Sequence, residues 1–379
     1  MNLSLTEEKS SRRGSRRSEK KSSSPDSLRV LMRGAVAAES RALAFAFVAL
    51  VVGIVVGAFV FAGEPAALSG ARSVGVTAAF LAGVSAGVAF ATNYLRLVRS
   101  TRPRPLSIGV RWRIGVDTVA LTVSAVIVVS LLTGTVFAVL QLAFRDFALD
   151  PPAAAVVTGA VAAVAAYLLT GAASQLTTRA IANLLAMLLV SGGLASMLSA
   201  RNTTWWQHNF SALGSGDGFS PYTFNITLVF AGLVIITLTH HLTHDIQQLS
   251  APDATSRIRV LRAWLITVGA LFAGVGMVSV DEAEPLHIVI ATTMSVAFAG
   301  LIATSTWLVP WLPRSFTFVS VIVLAAFGVV ALLMWPIGYF NLTAMELLSS
   351  ILLLTWLLLF VRAIAATADD DQPGGLMSD

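Results

Sequence analysis

Cysteine is absent from this 379-residue chain. That removes disulfides, thiolate nucleophiles, cysteine zinc sites, iron–sulfur clusters and haem attachment through CxxCH. Charge is scarce as well: Asp, Glu, Lys and Arg make up 12% of the chain, where a soluble domain carries roughly 25%. The remainder cannot stay in water as a globular surface, because 56% of the residues are hydrophobic and the mean hydropathy is +0.80. No GxxxxGK[ST] loop is present to cradle ATP phosphates, and no glycine-rich dinucleotide loop occurs. No polar stretch is long enough to form a separate soluble enzyme domain.

Long apolar runs recur from about residue 43 to residue 367. A helix needs about 20 apolar residues to cross a bilayer. Ten runs qualify: 43–62, 73–94, 114–141, 154–172, 179–199, 222–241, 260–280, 286–308, 316–338 and 343–367. The predicted fold class is all-α, a polytopic transmembrane helix bundle of about ten spans. The fourth and fifth runs are the weakest pair, Ala-rich and separated only by Gly171 to Thr178.

The net charge of +5 is unevenly placed, with ten basic and five acidic residues in the first 41. Residues 1–36 have little apolar surface to drive folding and read as a disordered basic cytoplasmic tail. The first apolar run begins too late for a cleaved signal peptide, so it reads as an uncleaved first span. The tail is then expected to touch anionic lipid. Lys and Arg gather in cytoplasmic connections. Arg96, Arg99, Arg102, Arg104, Arg111, Arg113, Arg179, Arg257, Arg259, Arg314 and Arg362 all fall on the side of the N-terminus. Glu64, Asp146, Asp150, Asp217, Asp281, Glu282 and Glu284 fall on the other. This pattern predicts an even number of spans with both termini cytoplasmic, in a bacterial inner (plasma) membrane. The Ala, Gly and Val bias is that of a high-GC bacterium. The predicted organisation is a tail (1–36), an N-terminal four-helix membrane unit (37–175), a C-terminal six-helix membrane unit (176–367) and a flexible acidic tail (368–379). No internal repeat is visible.

The most informative stretch is Arg201–Asn225 on the outer side. Trp205 and Trp206 suit a membrane interface. His208, Asn209 and Ser211 follow with polar groups, and Gly214, Gly216, Gly218 and Pro221 suit a tight turn. Asn225 then enters the next span. A structured re-entrant or lid-like loop over a cavity is expected here. Asp281, Glu282, Glu284 and His287 cluster on the same side, and Glu346 lies in the first turn of the tenth span. An ionisable residue inside a span is a functional candidate, although the helix dipole also favours a carboxylate at that end. The candidate ligand-binding set is therefore Trp205, Trp206, His208, Asn209, Ser211, Asn225, Asp281, Glu282, His287 and Glu346. Two histidines with Glu282 or Glu346 could bind zinc or perform acid–base chemistry. No HExxH-type spacing supports that, so no metal and no cofactor are assigned. On the inner side, His240, His241, His244 and Asp245 end span six, where histidines suit the negative helix pole. Asp117 and Arg113 are spaced for an i, i+4 ion pair. Asn202, Asn225 and Asn341 head NxT patterns and are not read as glycan sites.

Ser211-Ala212-Leu213-Gly214, followed by Pro221 and by Phe224-Asn225 entering an apolar helix, resembles the domain-of-unknown-function 998 membrane family. That family lies near the FRAG1/DRAM/Sfk1-like group. The resemblance covers about 179–367 and implies a six-helix unit with an outer Ser-x-Leu-Gly loop after its first helix. Ser211, Leu213, Gly214 and Asn225 are the residues it carries over, and His208 and the paired tryptophans match a subgroup feature. The unit at 37–175 is outside it. Related members are linked to lipid remodelling or membrane organisation, which is a fold-level prior. Three functions follow as expectations. The first is transport or handling of a lipid or small polar ligand at an outward-facing polar site. The second is a structural or scaffold subunit of a membrane complex. The third is an intramembrane lipid-modifying enzyme. The expected partners are membrane lipids and, in the scaffold case, a partner membrane protein. Nucleic acid is not expected.

Overall fold

The computed structural model describes residues 25–101, 107–250 and 254–370. The tail expectations for 1–24 and 371–379 lie outside these residues. Among the described residues there are ten long helices: α1 (Pro25–Val60), α2 (Val74–Thr101), α3 (Ile108–Ala143), α4 (Pro151–Ser174), α5 (Thr178–Ser199), α6 (Phe219–Leu249), α7 (Thr255–Met277), α8 (Val280–Leu308), α9 (Arg314–Met334) and α10 (Leu342–Asp370). Each contains a stretch long and apolar enough to cross a membrane, so the chain is an integral polytopic membrane protein. Only helices satisfy every backbone group within an isolated apolar segment. Helix α1 starts at Pro25, ahead of its membrane-spanning stretch Val36–Val60, because proline fits the first helical turn and the Leu-, Met- and Ala-rich run after it has good helix propensity.

Short polar caps set the helix boundaries. Thr177 accepts the Ala180 N–H at 3.2 Å, which starts α5 three residues after α4 ends. Ser279 accepts the Glu282 N–H and opens α8. Ala283 then leaves helical geometry (φ −154°, ψ 68°) just ahead of Pro285. Proline lacks an N–H and crowds the preceding turn, so the helix restarts beyond it, close to the expected 286. One element was not anticipated. Ala66–Ala67 and Ala148–Leu149 pair as a two-residue antiparallel ladder, β1–β2. Gln141 braces it by accepting the Leu68 and Ser69 N–H groups at 2.7 and 3.1 Å.

Helix α4 packs between α1 and α2, and α2 packs on α3. Small residues make the first contact close. A Cβ on Gly53 of α1 would sit 2.5 Å from the Gly159 Cα of α4. The Gly- and Ala-rich first, second and fourth spans thus do pack closely, as expected of small residues between membrane helices. On its outer flank α1 exposes Phe47, Val51, Val55 and Phe59. Their i, i+4 spacing makes one apolar stripe, suited to lipid.

The remaining helices pair mainly as α6 with α7, α5 with α6, α7 with α8, and α9 with α10. Helix α3 touches both α5 and α6. Through it one apolar cluster runs from Phe90 and Leu121 to Trp356 and Phe360. Trp356 is fully buried, stacks on Phe360 with 5.0 Å between centroids, and donates its Nε1–H to Ser320 Oγ at 2.9 Å. Ser320 keeps a second bond to the Phe316 carbonyl. Trp356→Phe should therefore keep the stack and lose one satisfied bond, for about 1 kcal/mol. A thermal melt in detergent with a modest fall would match this. A collapse in solubility would mean that the indole N–H matters more than the ring.

Candidate functional site

The segment between α5 and α6 is folded into two 3-10 turns, Trp205–Gln207 and Phe210–Gly214. Three asparagines and two carboxylates fix it. Asn202 Oδ1 accepts the Thr204 N–H at 2.9 Å and the Thr204 hydroxyl at 2.7 Å. Asn225 donates to the Gly214 carbonyl at 3.0 Å. A Cβ at Gly214 would lie 2.4 Å from Asn225 Oδ1, so the absence of a side chain admits the amide. Asn341 donates to the Trp206 carbonyl at 3.1 Å and accepts the Ala344 N–H at 2.9 Å, joining the segment to the start of α10. All three NxT asparagines thus have backbone partners to hold.

Glu346, at the start of the second turn of α10, closes the arrangement. Its Oε2 accepts the Phe210 N–H and its Oε1 faces the Ser211 hydroxyl at 3.4 Å. The carboxylate caps the start of the second 3-10 turn, where free N–H groups favour an anion. Asp281 does the same further along by accepting the Gly216 N–H. His287 is buried, and its Nδ1 lies 2.6 Å from the Val278 carbonyl. A carbonyl only accepts, so Nδ1 carries the hydrogen. Nε2 is buried and has no partner.

Two cavities meet at this point. The first has a volume of about 120 Å³ and lies among α6, α7, α8 and α10, with Glu346, Ser211, Ser295, Ser349 and Ser350 as its polar lining. The second, about 290 Å³, is a nearly apolar crevice among α5, α6, α7 and α10. They share Phe210, Phe224, Leu228, Phe272, Ser350 and Leu354. The crevice wall includes Val190, Leu194 and Ile351. These are exposed side chains on membrane-spanning helices, so the crevice opens toward lipid. A third, polar depression of about 360 Å³ lies over Arg201, Asn202 and Asp217.

The expected site residues separate into groups. Glu346 and Ser211 line the first cavity. Asn225, Asn209 and Trp205 shape the segment above it: Trp205 packs edge-on against Phe210 at 6.1 Å, and Phe210 against Phe224 at 5.4 Å. Trp206 is exposed and contributes its carbonyl. Asp281 holds Gly216 and His287 sits behind the cavity. His208 and Glu282 are exposed and join no polar cluster. No hydrogen bond links any two of His208, His287, Glu282 and Glu346. Among the described residues no three His, Asp or Glu side chains group to hold a metal ion. Sequence reasoning missed Phe210, which lines both cavities, and Ser349. The signal for Ser349 was present, since Glu346, Ser349, Ser350 and Leu353 follow the 3–4 spacing of one helix face.

Toward the other end of the bundle, Asp117 is buried and accepts from Thr237 at 3.2 Å, across from α3 to α6. This replaces the expected ion pair with Arg113. Thr178 donates to Asp245 and Arg262 to Thr243 at 3.0 Å. These bonds tie helices together and surround no described cavity. The string Gly83-Val84-Ser85-Ala86-Gly87 has the spacing of a nucleophile elbow but lies in the middle of α2. An elbow needs a strand-to-helix turn. Here both glycines admit α3 side chains, Ser130 at Gly83 and Val126 at Gly87.

Comparison with protein-family models, with curated proteins and with solved structures finds no match to this chain. The functional reading therefore rests on the geometry.

Proposed function

We propose that this protein binds and handles a membrane lipid at an outward-facing site. The headgroup lies beside Glu346 and the acyl chain occupies the crevice between α5 and α10. The observation that carries this reading is a cavity with Glu346 and four serines in a largely apolar wall, joined to a crevice with almost no polar lining, since an amphiphile also joins a polar end to an apolar chain. Ligand sites are commonly concave and apolar, with a few placed polar groups. The small-residue faces that would suit a scaffold are already occupied within the chain, Gly53 against Gly159 and Gly232 against Gly269. In this reading both termini are cytoplasmic, the membrane is the bacterial plasma membrane, and the Ser211–Gly214 segment with Asn225 belongs to the 998-type unit that it resembles.

Gly193 provides the test. It lines the crevice, and a Cβ there meets nothing within 4 Å. Gly193→Phe should fill the crevice without disturbing the helix contacts. Wild-type protein extracted gently from its membrane should carry bound lipid in a native mass spectrum. The variant should lose most of it at an unchanged melting temperature. Equal lipid on both proteins would sink the crevice as the binding place.

A further inference from the structure

Resting on the lipid-handling reading, the chemistry of the cavity lining narrows the headgroup. Ser349 Oγ is buried, lines the cavity and has no hydrogen-bond partner. Ser295 already donates to the Ala291 carbonyl at 3.1 Å, so its oxygen offers lone pairs. Glu346 receives one N–H and one hydroxyl. Two carboxylate oxygens offer about four acceptor positions, so acceptor capacity is left over. No Lys or Arg lines the cavity.

This lining is rich in acceptors and has a negative group but no positive one. A phosphate placed against Glu346 would meet like charge with no basic partner, an arrangement that is costly when buried. A cation with several N–H groups meets the opposite situation, because charge-assisted hydrogen bonds to a carboxylate are the strong ones. We infer that the cavity recognises a primary ammonium group on the lipid headgroup, with Glu346 as its counter-ion and the Ser349 hydroxyl as a second acceptor. A quaternary ammonium has the charge but no N–H to donate.

The test uses the full-length protein exchanged into a mixture of phosphatidylethanolamine, phosphatidylcholine and phosphatidylglycerol. The three lipids have identical acyl chains and are present in equal amounts, and bound lipid is read by native mass spectrometry. Phosphatidylethanolamine and phosphatidylcholine share their phosphate and differ in N–H donors. The first should be retained about tenfold over the second, the ratio one charge-assisted bond supplies. Glu346→Gln keeps an acceptor for Phe210 and removes the charge, and it should bring the ratio close to one. Ser349→Ala deletes a hydroxyl that has no partner to lose, so it should fold normally and lower the ratio by several-fold, within about one such bond. Equal retention of the ethanolamine and choline lipids would overturn the ammonium assignment while leaving lipid binding intact. So would preference for the glycerol lipid, which would point to hydroxyl donors. No lipid retained in any arm would overturn the parent reading as well.

Discussion

Replacing Glu346 with alanine is expected to release the segment between α5 and α6 from α10, at a cost of about 1–3 kcal/mol. The carboxylate is the acceptor for the Phe210 N–H, and it also faces the Ser211 hydroxyl. Alanine leaves that backbone donor beneath Trp205 and Phe224 without a partner, and an unsatisfied polar group costs more than a satisfied one contributes. Amide hydrogen exchange across 205–214 should accelerate about tenfold or more in the alanine variant, since 1.4 kcal/mol is a factor of ten. Glu346→Gln retains a side-chain oxygen and should stay close to wild type. This contrast separates two roles of one residue. If glutamine preserves loop protection and loses lipid selectivity, the acceptor is structural and the charge serves binding. Unchanged protection in Glu346→Ala would show that the loop is held by Asn225 and Asn341 alone.

The second large effect belongs to the α6–α7 contact. A Cβ on Gly232 would lie 2.3 Å from the Gly269 carbonyl oxygen and 2.6 Å from the Ala273 nitrogen. Those atoms are backbone and cannot turn aside. Gly232→Ala must push two helices apart, and overpacking of this kind costs about 1–3 kcal/mol. The intrinsic helix preference for alanine over glycine, about 1 kcal/mol in the other direction, only partly offsets it. Helix α6 carries Phe224 and Leu228, and α7 carries Phe272, all of which line both cavities. The substitution should therefore lower the melting temperature and weaken lipid retention together. Gly328→Ala on α9 is the control, because nothing lies within 4 Å of its Cβ, and it should be neutral or slightly stabilising. Equal melting temperatures for the two variants would mean that α6 and α7 are less tightly apposed than these distances state.

Most of the helical organisation is legible without coordinates. The tenth span was placed at 343–367 and the helix begins at Leu342. The eighth was placed from 286, and the chain breaks its helix at Ala283 ahead of Pro285. Helix α1 extends N-terminal of the apolar run that marks its span, because hydropathy reports the apolar stretch and not where the helix begins. The outer site is only partly legible. Glu346 stood out because a carboxylate in an apolar run is rare, and Asn225 stood out for the same reason. His208 and Glu282 look equally polar on paper, yet both are exposed: His208 follows a short 3-10 turn whose path no helical period governs, and Glu282 lies in the first turn of α8 on a side away from the cavity lining. Phe210 was invisible as a site residue. One more phenylalanine in a hydrophobic chain carries no signal until its position between two cavities is known.

What the sequence determined by itself was the class of solvent and the number of elements. Runs of about 20 apolar residues must become helices in hydrocarbon, since each unpaired backbone group there costs several kcal/mol. What only the tertiary structure decided was which polar groups meet. Glu346 reaches Phe210 across 136 positions, and Asp117 reaches Thr237 across 120. No local periodicity encodes those distances. They follow from the close approach of particular helix pairs, which glycine and alanine permit, and from the three-dimensional path of the segment after α5. The junction of the Glu346 cavity with the apolar crevice exists because these helices pack in this order, and the proposed function rests on that junction.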